Sequence, residues 1–190
     1  MRKTTILIIA FLLSVAAFAQ APPELPGYSV TVNVGFSTVT GNTGNGMFAS
    51  VAVPLKTFNA GKTLGTVALS ARADNFAVLD PSVNIILGGP EFRFQFSKPT
   101  LFNGAMFQPF VNAGAGVARF ACAAQGNCAT GVSTTSHVAE KFGGGLDMVL
   151  TSNMTARLFE VDYIRSSILP NGHININNAV QVTAGIGFHF

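Results

Sequence analysis

The chain is 190 residues long, 48% apolar and only 10% charged, with eleven Lys and Arg against eight Asp and Glu. A soluble domain carries roughly 25% charged residues, so this chain is short of what would cover a core in water. Its length suits one domain, and with no basic run it lacks the electrostatic footprint of a nucleic-acid binder.

Residues 1–19, MRKTTILIIAFLLSVAAFA, open with Arg2 and Lys3, run apolar from Ile6 to Phe18 apart from Ser14, and end on Ala17-Phe18-Ala19. A charged start, a short apolar run and a small-x-small close are the parts of a secretory signal peptide, cleaved before Gln20. The run is shorter than the ~20 residues of a spanning helix. Without the segment, nine Lys and Arg face eight Asp and Glu. Residues 20–27, QAPPELPG, are a Pro-rich lead-in, and the folded domain is expected over 28–190.

From Tyr28 onward the apolar period is two, the signature of strands rather than helices. Over 28–39, Val30, Val32, Val34 and Phe36 alternate with Ser29, Thr31, Asn33, Gly35 and Ser37. Over 47–55 the apolar set is Met47, Ala49, Val51, Val53 and Leu55, and over 65–74 it is Val67, Leu69, Ala71 and Ala73. Residues 83–96 form a fourth strand in which Phe92, Phe94 and Phe96 oppose Glu91, Arg93 and Gln95. Ile85 and Leu87 have the other parity, so a bulge is expected at Gly88-Gly89-Pro90 to bring them onto the Phe face. Strands over 107–117, 137–150 and 155–165 follow, and the last, 179–190, sets Val180, Val182, Ala184, Ile186, Phe188 and Phe190 against Gln181, Thr183, Gly185, Gly187 and His189. Eight is an even number, as a closed antiparallel up-and-down barrel requires.

Links 40–45, 75–82, 119–136 and 166–177 alternate along the chain with 56–64, 97–106 and a tight turn at 151–154. The second set marks the short-turn end of the barrel, although 56–64 and 97–106 are longer than that pattern wants. Cys122 and Cys128 share one of the long links; in an exported chain an even cysteine count points to a local disulfide. With His137 as the nearby imidazole they make a poor metal set, and neither a metal nor a cofactor is expected.

The non-apolar face is mainly Ser, Thr, Asn, Gly and Gln, too poor in Lys and Glu to serve as a solvent face. The pattern therefore fits an inverted barrel, apolar side toward lipid and small polar side within, one of the two architectures that cross a bilayer with satisfied backbone groups. Eight strands leave an interior that side chains fill. Arg72, Glu91, Arg93, Lys141, Asp147, Glu160 and Asp162 have inward parity and should pair there, since charges inside a barrel must be paired or wet. The 151–154 turn sets Gly143 and Gly145 opposite Asp162 and Glu160. Arg157 has the opposite parity and is expected to snorkel to a membrane interface, while His189 is expected to fill the interior. The alternative use of the same charges is a constriction conducting small ions.

Catalysis needs a nucleophile within reach of a base held by a carboxylate. Ser136-His137 with Glu140, and Ser166 or Ser167 with His173, are the candidate sets for a lipid-modifying enzyme, and neither spacing forces its members together. The expectation is a non-enzymatic protein.

With Phe190 last and Phe188, Ile186, Ala184 and Val182 at alternate places before it, and with LGGPEFRF (87–94) and VDYIR (161–165) as strand motifs, the chain over 28–190 resembles the eight-stranded OmpA/OmpX-type outer membrane protein β-barrel domain family. The resemblance implies an all-β, eight-stranded transmembrane barrel in the outer membrane of a Gram-negative-type bacterium, in contact with outer-membrane lipid and lipopolysaccharide. It also implies that Phe190, Phe188 and Ile186 are read by the barrel-assembly machinery. The loop 119–136 would meet any surface partner.

Overall fold

The computed structural model describes residues 30–39, 45–60, 63–77, 82–96, 106–121, 134–166 and 178–190. They form eight strands: β1 (Thr31–Val39), β2 (Asn45–Ala60), β3 (Thr63–Ala77), β4 (Ser82–Phe96), β5 (Met106–Ala121), β6 (Thr134–Thr151), β7 (Met154–Ser166) and β8 (Ala179–His189). Each pairs antiparallel with the next, and β1 pairs with β8, closing the barrel. The expected signal segment 1–19 and lead-in 20–27, Cys122, Cys128, Ser167 and His173 lie outside the described residues.

Up-and-down order divides the connections between two ends. The turn end carries the links after β2, β4 and β6 and the C-terminus; the loop end carries those after β1, β3, β5 and β7. Thr151 and Met154 pair across the β6–β7 turn, where Asn153 N–H donates to Thr151 Oγ1 at 3.3 Å. The β2–β3 link is shorter than the alternation implied. Ala60 pairs with Thr63, so only residues 61–62 intervene. The ladder shifts register between Pro54 and Lys56, because proline has no N–H to donate and one extra residue restores pairing. That shift hides the continuing strand from a period-two reading.

The outer face is apolar. Phe36 (71% exposed), Phe142 (67%), Val138, Ile86, Leu69 and Leu55 stand out from the wall, as do Val161, Tyr163, Val182 and Phe188. An apolar surface of this extent, broken by few charges such as Glu140, marks a wall that meets something other than water. Aromatic side chains mark both ends of it, Phe36, Phe142 and Tyr163 toward the loops and Phe58, Phe92, Phe159, Phe188 and Phe190 toward the turns. The Phe58 ring lies across Gly65 on the neighbouring strand, filling the place of the missing side chain.

The expected bulge at 88–90 is absent. The β3–β4 register runs unbroken from Thr63–Phe96 to Ala77–Ser82, so Ile85 and Leu87 keep the inward parity of Glu91 and Arg93 while Ile86 and Phe92 face out. Two residues make a bulge unnecessary. Pro90 faces outward, and β4–β5 pairing lapses there, between Gly88–Ala115 and Glu91–Asn112. Gly89 faces inward, and a side chain on it would collide with the Ala113 backbone. The wall is pinched, not bulged.

Ile85 and Leu87 therefore belong to an apolar layer inside the barrel at its loop end. Val39, Phe76, Val83, Ala118, Ala139, Ile164 and Ala179 complete it, six of the nine being at most 2% exposed. β2 contributes Gly46, over which the Phe76 ring lies, so all eight strands line this layer. Below it, toward the turns, the interior changes character.

Candidate functional site

The lower lumen holds nine charged side chains among the described residues. Arg72, Glu91, Arg93, Lys141, Asp147, Glu160 and Asp162 face inward, and Asp74 and Arg157 join them. Four cations thus meet five carboxylates.

Glu160 on β7 is the hub. Arg72 Nη1 donates to its Oε2 at 2.7 Å and Arg157 Nη1 at 2.8 Å, while Lys141 Nζ reaches Oε1 at 3.0 Å. Asn112 Nδ2 (2.6 Å) and the Thr183 hydroxyl (3.0 Å) add two neutral donors. Five donors from five strands converge on one carboxylate, which loses water but gains a full set of charge-assisted bonds.

Each arginine is fixed on its other side. Arg72 makes a two-pronged contact with Asp74, Nε to Oδ2 at 2.8 Å and Nη2 to Oδ1 at 2.7 Å, and Gln181 Nε2 also donates to Asp74 Oδ1 at 2.7 Å. Arg157 holds Asp147 likewise, Nε to Oδ1 at 2.9 Å and Nη2 to Oδ2 at 3.2 Å. Arg93 pairs with Glu91 and approaches Asp147 Oδ2 at 3.3 Å. Lys141 Nζ bridges Glu160 to Asp162 Oδ2 at 3.0 Å. Asp162 is held through one oxygen: Arg72 stands 3.6 Å from its Oδ2, and its Oδ1 has no hydrogen-bond partner.

Aromatic rings carry the two hub arginines. Arg72 lies 4.3 Å from the Phe48 ring centroid and Arg157 lies 4.2 Å from that of Phe110, within the range of a cation–π contact. Each ring in turn occupies the space above a glycine of the next strand, Phe48 over Gly35 and Phe110 over Gly145. Glycine, ring, guanidinium and carboxylate thus stack inward from opposite walls.

Arg157 is a correction to the snorkelling expectation: it is buried in the network, not placed at an interface. The cause is backbone irregularity. Pairing shifts between Arg157 and Glu160 in the β7–β8 ladder and between Leu146 and Asp147 in the β6–β7 ladder, so inward parity passes from Thr155 and Arg157 to Glu160 and Asp162 within one strand. Asp74 needs no such irregularity: it closes the 65–74 stretch with the inward parity of Arg72, the i, i+2 relation that also links Glu91 to Arg93 and Glu160 to Asp162.

His189 faces inward at the turn end, its Nδ1 3.1 Å from Thr31 Oγ1. Of the candidate catalytic sets, Ser136 and Glu140 lie on the outer face of β6, and His137, adjacent in sequence, has the opposite parity shared with buried Ala139. Neighbouring strand residues point to opposite sides. Ser166 faces inward, its hydroxyl donating to the Val138 carbonyl at 3.3 Å.

No protein-family model matches the chain, and no curated protein matches it. Among solved structures it is similar to the N-terminal β-barrel domain of Pseudomonas aeruginosa OprF, at 16% identity and a TM-score of 0.53, over 86% of this chain and 98% of that one. It is also similar to Ail, the attachment invasion locus protein of Yersinia pestis (15% identity, TM-score 0.42, 85% and 97% covered), and to the outer membrane enzyme PagL (19%, 0.41, 84% and 97%). The chain has the fold of the small eight-stranded outer-membrane β-barrels.

Proposed function

We propose that the chain is a non-enzymatic integral protein of the outer membrane of a Gram-negative-type bacterium, a closed barrel whose outer loops are its working surface. The observation that carries this reading is the Glu160 hub. A lumen whose charges are bound to one another across four strands is built to be filled. The wall anchors the chain in lipid through its apolar face, in contact with outer-membrane lipid and lipopolysaccharide. Phe190, Phe188 and Ile186 serve the barrel-assembly machinery, and the long links, including 119–136, meet a surface partner. The placing of Ser136 and His137 on opposite faces of β6 favours the non-enzymatic reading over a lipid-modifying one.

Planar-bilayer recording tests the closed barrel. The refolded protein should insert without measurable single-channel current; steps that change with Arg93→Ala or Asp162→Ala would replace this reading with that of a narrow channel. Lipid A from cells expressing the chain should keep its mass. A mass change lost in His137→Ala with His173→Ala would make it an enzyme.

A further inference from the structure

The lumen has two storeys of opposite chemistry, and their order along the axis has a consequence for water. In the lower storey several buried polar atoms have no hydrogen-bond partner in the protein: Asn33 Oδ1, Asn112 Oδ1, Thr155 Oγ1, Gln181 Oε1 and Asp162 Oδ1. All but the last are oxygens of neutral side chains, and none of them accepts from a cation of the network. Asn112 also lines a cavity of about 20 Å³, together with Ser50, Ser70, Glu160 and, at its upper side, Leu87 among others. That is room for a water, and a polar site with several acceptors is where a buried water is stable. Arg93, toward the turn end, has the most exposed charged side chain of the network at 11%. The upper storey offers water little beyond Ser37 Oγ, which has no hydrogen-bond partner and stands on the residue paired with Gly46. Its ring of apolar side chains comes from every strand but β2, whose glycine is covered by Phe76. An apolar constriction of this kind excludes water by dewetting, without any moving part.

We propose that the apolar layer around Phe76, Ile85 and Ile164 is a dry seal, and that the polar storey beneath it is hydrated and reached by water only from the turn end. The seal, not the ion-pair network, is then the barrier to proton passage. Chains of water and hydroxyl, amide and carboxyl groups relay protons even where ions cannot pass; nine apolar side chains do not. The inference rests on the membrane-barrel reading and goes beyond it by assigning the barrier to one layer.

The test is proton flux into vesicles that hold a trapped pH-sensitive dye, with the full barrel reconstituted. The unaltered protein should leak no faster than protein-free vesicles. Ile85→Ser with Ile164→Ser, which wets the layer from β4 and β7, should raise the flux at least about tenfold, with heat-modifiable migration reporting that the variant has folded. A folded double variant as tight as the unaltered protein would overturn the proposal, and so would a proton leak through the unaltered protein. Ion current through the unaltered protein counts against the closed barrel itself, whereas proton flux without current counts against the seal alone. Thiol accessibility supplies a measurement that does not need the double variant. In a C122S/C128S background and in detergent, a small water-borne thiol reagent should modify Ser50→Cys and spare Ala118→Cys. Equal modification of the two would refute a dry layer.

Discussion

Replacing Glu160 by Gln separates two explanations of the buried network. Counting charge alone, the substitution should help, because four cations would then face four carboxylates instead of five. Local geometry says the reverse. Glu160 accepts from Arg72, Lys141 and Arg157 at 2.7–3.0 Å and from Asn112 and Thr183 besides. A glutamine offers one acceptor oxygen and turns an NH₂ group toward donors. Three cations lose their shared partner, and Lys141 and Arg157 keep one carboxylate each. Removing one side of a buried pair costs about 3–5 kcal/mol; with an m-value of about 2 kcal/mol per molar urea, the unfolding midpoint should fall by about 2 M. Urea titration of the barrel in lipid vesicles, scored by the mobility of the unheated folded band, measures it. Asp162→Asn is the comparison, since one oxygen of Asp162 is unpartnered and the other shares Lys141 with Glu160. Its midpoint should move by less than half as much. Equal shifts for the two, or a midpoint raised by Glu160→Gln, would show that net charge and not the converging donors governs the lumen.

Phe110→Ala should lose about 3–5 kcal/mol in the same titration, because it deletes a core ring and the platform under Arg157 together. Gly145→Ala should also destabilise, by about 1–3 kcal/mol: the added methyl would stand 2.9 Å from Phe110 Cζ and 2.8 Å from Glu160 Cα. Val161→Arg, on the outer face midway along β7, should cost about 2–4 kcal/mol in a bilayer; the same change on a water-facing wall would cost almost nothing, so an unmoved midpoint would mean that the faces are inverted.

Much of the fold was legible because period two survives wherever a strand is regular. The inward set Asn33, Arg72, Lys141, Asp162 and Gln181 can be read by alternation alone. Three places were not legible, and each has a physical cause. At Pro54 and again between Arg157 and Glu160, an irregular residue changes parity inside a continuous strand, and nothing in composition marks where the change falls. Ile85, Ile86 and Leu87 are a different case. Three successive apolar residues belong to both faces at once, which is what a strand does where lipid lies on one side and an apolar layer on the other. A reading that allows the lumen only polar filling must invent a bulge to move Ile85 and Leu87 outward. The seal is therefore the part of the molecule that alternation conceals. Parity also reaches Asp74, which grips Arg72 side-on, whereas Arg157, which grips Asp147 in the same way, lies across a change of parity.

The closing ladder joins the two strands of the barrel that lie furthest apart in the sequence. β1 pairs with β8 through nine residue couples, from Thr31–His189 to Val39–Gln181, and Val30 and Phe190 extend the join with reciprocal backbone bonds of 3.0 and 3.2 Å. The first strand of the barrel completes its second edge only with the last. A nascent chain cut short by even one strand would carry two open edges, and in hydrocarbon each unmet peptide group costs several kcal/mol. Closure of this kind works as a completeness check: a truncated translation product has no stable place in the membrane, whatever the quality of the strands it does possess.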